Sequence, residues 1–177
     1  MTAAVVAPTV AGEVVPVLQV EPPGPEHWFE SEWRTYQSSA SSGPVAGEYA
    51  RIDLHNNSSN VLIVVDAIYM SSGVVLLFGF TAATTAIAGQ VYASLVSPGD
   101  TRQGIWLGSA GRVGNGSSAG VLGQHLRGIL PSNNTLICRE PFVLGPGGSL
   151  NVGSGTVNAQ MIVSFRWRER TLGPLEL

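Results

Sequence analysis

The segment Pro141–Arg170, PFVLGPGGSLNVGSGTVNAQMIVSFRWRER, decides the fold. From Ala159 onward it alternates. Ala159, Met161, Val163, Phe165 and Trp167 share one parity, and Gln160, Ser164, Arg166 and Arg168 share the other. Only Ile162 breaks the pattern. Successive strand side chains point to opposite faces, so this alternation predicts one long strand with an apolar face and a cationic face. Upstream, Gly145-Pro146-Gly147-Gly148 is a turn signal between the apolar run Pro141–Leu144 and the run Ser149–Val152. Strand, turn and strand in this order predict an antiparallel β domain.

The chain leading up to this segment carries the same punctuation. Tyr49–Leu54 alternates and ends in the turn-forming cluster HNNSSN, residues 55–60. Val61–Met70 is almost continuously apolar, which predicts a strand covered on both faces, with Asp66 at a bulge or strand edge. Ser71-Ser72-Gly73 turns into a strand over Val74–Phe80. Ile87, Val91 and Leu95 keep i,i+4 spacing, so residues 81–100 hold either one short helix or small strands and loops. GSAGRVGNGSSAG, residues 108–120, reads as a mobile surface loop, and Pro131–Asn134 as a turn into Thr135–Cys138. The expectation is about eight strands in a body spanning residues 48–170, with a short tail over 171–177.

Residues 1–47 read as an extended arm and linker. Pro8, Pro16, Pro22, Pro23 and Pro25 exclude a helix or a central strand. Val14, Val15, Val17, Leu18 and Val20 supply apolar contact, so the arm is expected to become ordered by packing on another surface. Trp28, Phe29, Trp33 and Tyr36 cluster within nine residues. They serve either as a plug onto the domain's own core or as an intermolecular anchor, since Trp and Tyr dominate interface hot spots. QSSASSGPVAG, residues 37–47, reads as a flexible connector.

Composition narrows the class. The chain has 177 residues, 44% hydrophobic but only 12% charged, and its 22 Gly fall mostly between apolar runs. That suits short strands joined by tight turns. All nine basic residues are Arg, and net charge is −3, which does not point to nucleic acid as the partner. Charge is uneven: residues 1–48 carry six Glu against Arg34, a net −5, and the rest is +2. An acidic arm and a mildly basic body are suited to docking between copies. The N-terminus has no basic n-region and is interrupted by Pro8, and no apolar run approaches the ~20 residues of a membrane span. The expectation is a soluble protein made in a cytoplasm, without a membrane partner.

No chemistry stands out. Gly114–Gly120 lacks both the dinucleotide glycine spacing and the Gly-Lys-Ser/Thr of a P-loop. His27, His55 and His125 are scattered, so no metal-ligand motif forms. Asp53, His55 and many serines are present, but without a nucleophile elbow. The lone Cys138 lies in an apolar run and reads as structural. Neither an enzyme nor a cofactor is expected.

Two stretches carry a family resemblance. Arg51-Ile52-Asp53-Leu54-His55-Asn56 with Ser58-Ser59-Asn60 and a Val-rich strand is one. The Pro146-Gly147 turn, the strand Leu150-Asn151-Val152 and the ending Phe165-Arg166-Trp167-Arg168-Glu169-Arg170 form the other. Together they resemble small virion proteins of tailed bacteriophages. The resemblance implies an antiparallel β-sandwich, jelly-roll-like, with an extended N-terminal arm. It implies a capsid cement (decoration) protein on the virion surface, a homotrimer bound to the major capsid protein. Head–tail junction proteins, tail accessories and carbohydrate- or receptor-binding modules are the alternatives; the last predicts exposed aromatics such as Trp106 or Tyr92. The residues expected at the protein interface are Trp28, Phe29, Trp33, Tyr36, Arg166, Arg168 and Arg170.

Overall fold

The computed structural model describes residues 33–93, 97–98, 108–120 and 126–173, together with the strands Val5–Pro8 (β1) and Val14–Val17 (β2). The chain divides into two compact units, Met1–Ser31 and Glu32–Leu177. In the first, β1 and β2 form an antiparallel hairpin. The second holds twelve strands: β3 (Arg34–Ser42), β4 (Tyr49–Asn56), β5 (Val61–Ser72), β6 (Leu76–Ala83), β7 (Val91–Ala93), β8 (Ser97–Pro98), β9 (Gly111–Ser118), β10 (Leu126–Leu130), β11 (Asn134–Cys138), β12 (Phe142–Leu144), β13 (Ser149–Val157) and β14 (Met161–Thr171). No helix occurs among the described residues.

The strands form two antiparallel sheets, and the protein body is an all-β sandwich. One sheet has the order β11-β5-β14-β3-β8, with β12 also on β5; the other runs β10-β6-β13-β4-β9-β7. The four strands β3, β4, β5 and β6 alternate between the sheets, as do β13 and β14. The C-terminal strand predicted from its parity is β14, and it lies at the centre of its sheet, paired with β5 on one side and β3 on the other. Met161, Val163, Phe165 and Trp167 point inward and are fully buried. They meet Ile52, Leu54, Leu150 and Val152 of the facing sheet within one core. Burying a large apolar side chain contributes roughly 1.5–3 kcal/mol, so these inward rows are what holds the sheets together.

Several boundaries differ from the sequence expectation. The body begins before residue 48: Arg34–Ser42 is a full strand whose nine residues pair with β14, not an arm followed by a connector. Ser and Gln look like linker residues, but outward positions of a strand tolerate them when the inward ones pack. Tyr36 does so, stacked on Trp167 at 6.2 Å between ring centroids. Val61–Met70 is buried on one face only; Ile63, Val65, Ile68 and Met70 face the core, while Val64 and Tyr69 are half-buried outside it. Between β6 and β9 the chain forms the short strands β7 and β8, the second of the two sequence alternatives. Among the described residues the body has twelve strands where about eight were expected.

The largest difference is at residues 111–118. The Gly-rich stretch read as a mobile loop is strand β9, in register with all eight residues of β4. Its glycines permit close approach rather than flexibility. A Cβ on Gly111 would lie 2.8 Å from the Trp167 ring, and one on Gly116 would lie 2.6 Å from the Gly89 carbonyl. Gly111→Ala is therefore expected to destabilise the fold by about 1–3 kcal/mol through overpacking, measured as a lowered midpoint in urea. An unchanged midpoint would mean that Trp167 yields freely.

Turns fall where Gly, Pro and Asn place them. Gly147 adopts φ +73°, and Gly148 N donates to Gly145 O at 3.0 Å. Asn133 and Asn158 take positive φ in two other turns, a conformation that Asn tolerates better than most residues. Asn56, at the end of β4, ties this end of the sandwich together. Its fully buried amide donates to the carbonyls of Val61, Gly145 and Leu144 at 2.7, 2.9 and 3.2 Å.

Candidate protein interface

The polar parity of β14 lies on the outer face of its sheet. Cross-strand register sets Arg166 between Ala67 and Gln37, and Ser164 between Tyr69 and Ser39. The next row outward sets Ile162 between Ser71 and Ser41, and Ile137 of β11 lies opposite Tyr69. Ile162 and Ile137 remain 42% and 45% exposed. Gln37, Ser39, Tyr69, Ser164 and Arg166 line a shallow depression of about 640 Å³. Its floor is low because Ser39 and Ser164 are short.

The cations cluster at one end of this face. The Arg168 and Arg170 guanidiniums lie 5.0 and 5.4 Å from the centroid of the Trp33 ring, at cation–π distance. Arg168 Nε also lies 3.2 Å from Asp66 Oδ1. Asp66 is the extra residue of a β-bulge: Arg166 pairs with Ala67 but Trp167 pairs with Val65, which leaves Asp66 without a ladder partner. The bulge turns its side chain outward toward the arginines. Burial pushes the Asp66 carboxyl up, and Arg168 and then Arg166 pull it back in part. A partly exposed pair of this kind contributes about 0.2–1 kcal/mol, so it positions Arg168 more than it stabilises the sandwich.

Of the seven residues expected at an interface, the structure brings four to this face: Trp33, Arg166, Arg168 and Arg170. Tyr36 belongs to the core, 3% exposed against Trp167. Trp28 and Phe29 lie outside the described residues, as does Trp106. Sequence reasoning missed Tyr69, Ile137 and the serine floor. One signal was present: Ile162, the only apolar residue on the polar parity, is an apolar side chain on the outer face.

The facing sheet carries polar residues on its own outer surface. His55 Nδ1 lies 2.9 Å from Ser149 Oγ, while Asp53 accepts from Tyr92 Oη at 2.7 Å. The carboxylate thus orients the phenol and not the imidazole, and Ser149 is fully buried. This pairing is structural; it lacks the geometry of an activated serine. Tyr92, one of the two aromatics considered for glycan contact, is committed to the Asp53 bond. Comparison of the chain with family models, curated proteins and solved structures finds no match.

Proposed function

We propose that this chain is a structural protein of a tailed-bacteriophage virion, a capsid cement protein that bridges capsid subunits. In this reading it assembles as a homotrimer on the capsid surface, with the major capsid protein as partner. The observation that carries the proposal is the outer face of the β11-β5-β14-β3 sheet. There Arg166, Tyr69, Ile137 and Ile162 stand together around a low serine floor. Interfaces favour this mixture of guanidinium, aromatic ring and scattered apolar contact, because Arg and Tyr bury area while meeting polar groups on the partner. The strand order β11-β5-β14-β3 facing β10-β6-β13-β4 supports the jelly-roll form of the sandwich. Its rigid sheets suit a protein that acts by covering junctions.

The test is reassembly of purified protein onto capsids stripped of it, read by co-sedimentation, with copy number from mass spectrometry of virions. Hundreds of copies per particle fit cement; six or twelve fit a head–tail junction. Arg166→Glu is expected to weaken particle binding at least tenfold, since reversing a charge at a complementary contact costs about 1.4 kcal/mol or more. Thermal unfolding of that variant should match the parent. Deleting residues 1–31, which leaves β3 intact, should release the protein from particles while the sandwich stays folded. Undiminished binding by both variants would reject this face and the arm together.

A further inference from the structure

Asp53 sits at the centre of the other sheet's outer surface. It is fully buried and faces Asn151 of β13 on one side and Gly114 of β9 on the other. Tyr92 comes from β7, the far edge of the sheet, and its hydroxyl reaches over β9 to bond Asp53 Oδ2 at 2.7 Å. Gly114 makes that crossing possible: a Cβ there would lie 2.8 Å from Asp53 Oδ1 and 2.9 Å from the Tyr92 ring. Among the described residues β7 spans Val91–Ala93 and pairs with β9. The Tyr92–Asp53 bond is therefore a principal side-chain fastening of this edge.

The fastening is poorly satisfied when the carboxyl is ionised. Asp53 Oδ1 and both amide atoms of Asn151 are buried without a hydrogen-bond partner. A carboxylate has capacity for about four such bonds, and Asp53 receives one from Tyr92 and one from the backbone. A proton on the carboxyl removes the charge from a buried group whose Oδ1 no donor meets. We propose that Asp53 is a proton-operated latch. With the carboxyl neutral, β7 is held against the sheet; with it ionised, β7 and the Thr84–Gln90 segment before it swing open and hydrate the charge.

Asp53 is the buried carboxyl of this cluster, and the His55→Gln variant separates its titration from that of the neighbouring imidazole. Burial pushes the Asp53 carboxyl up to about 6, with the Tyr92 bond and then a backbone hydrogen bond opposing. Burial also raises the Tyr92 phenol, further raised by the Asp53 bond and charge, so it stays protonated. Burial pushes the His55 imidazole, whose ring centroid is 5.7 Å from that of Tyr92, below its ordinary value, with a backbone bond at Gly148 opposing. Arg51, two residues away on β4, donates to the Gly120 carbonyl, and Arg112 on β9 donates to the Ser109 carbonyl. Thr81 of β6 and Asn151 of β13 bring no charge.

The sign follows from linkage. The closed form holds the proton up to about pH 6, and a hydrated Asp releases it near 3.8. Opening therefore becomes easier as pH rises, and between pH 5 and 7.5 its equilibrium constant is expected to rise about tenfold. The experiment is hydrogen exchange of the Val91–Ala93 amides in the full chain across that range, corrected for intrinsic rates. Asp53→Asn should abolish the rise and keep these amides protected at both ends. His55→Gln should leave the rise intact. Gly114→Ala, which blocks the crossing, should expose them at every pH. A flat profile in the parent, or the same rise in Asp53→Asn, overturns the latch. Should Asp53→Asn fail to fold, carboxyl NMR titration of the parent decides: an Asp53 midpoint near 4 overturns it, and one near 6 supports it.

Discussion

Replacing Glu169 by Ala is expected to lower the unfolding free energy by about 3–5 kcal/mol, because it strands several buried donors at once. Glu169 follows Trp167 on the inward parity of β14, in a place where the pattern otherwise calls for an apolar residue, and it is only 6% exposed. Its Oε1 accepts from Trp167 Nε1 at 2.8 Å, from Gly111 N at 2.9 Å and from the Ser109 hydroxyl. Its Oε2 accepts from Ala110 N at 2.9 Å. One carboxylate thus fastens the start of β9, in one sheet, to the centre of the other. The expected loss is a large part of the ~5–15 kcal/mol that a domain of this size possesses. Urea unfolding followed by Trp fluorescence measures it. Glu169→Gln should recover only part, since an amide supplies one oxygen and turns an NH₂ toward a backbone N–H. Full recovery by Gln would mean that shape, not acceptor count, is what the site requires.

Asn56→Ala is expected to cost about 2–4 kcal/mol by removing donors to three carbonyls that are buried or partly buried. The side chain joins the start of β5 to the turn between β12 and β13, and Ser58 N returns a bond to its Oδ1 at 3.2 Å. The backbone closes the same knot, with Asn56 N donating to Gly148 O at 2.8 Å and Gly147 N donating to Asn56 O at 3.1 Å. Asn56→Asp should be worse than Ala at neutral pH, because it sets a carboxylate against those carbonyls. Such a carboxyl has its folded pKa raised above the unfolded value, so the deficit should shrink as pH falls toward the ordinary Asp range near 4. Chemical denaturation at pH 4.5 and 7.5 checks both size and sign. An Asp variant as stable as the parent at pH 7.5 would show that the knot is held by backbone alone.

The sandwich class was legible because burial on one face writes a period of two into the residues. Ala159–Trp167 and Tyr49–Leu54 both show it, and both strands lie where their parity requires. Turn positions were legible for an equally local reason, since positive φ and chain reversal select Gly, Asn and Pro at Gly147 and Asn133. The Gly-rich stretch 111–118 was misread because composition does not distinguish a glycine that grants freedom from one that makes room. Only the presence of Trp167, Tyr92 and Gly89 above those positions decides between them.

The same limit applies to the candidate interface. That Arg166, Arg168 and Arg170 share a face follows from residue spacing alone, because alternation is a property of the extended chain. That Trp33 lies beneath two of them, that Tyr69 and Ile137 stand beside Arg166, and that Tyr36 turns inward follow from cross-strand register. Register is set by long-range pairing of strands more than a hundred residues apart, β3 with β14. No local pattern contains that information, so the sequence determined which faces exist and the tertiary structure determined which side chains meet on them.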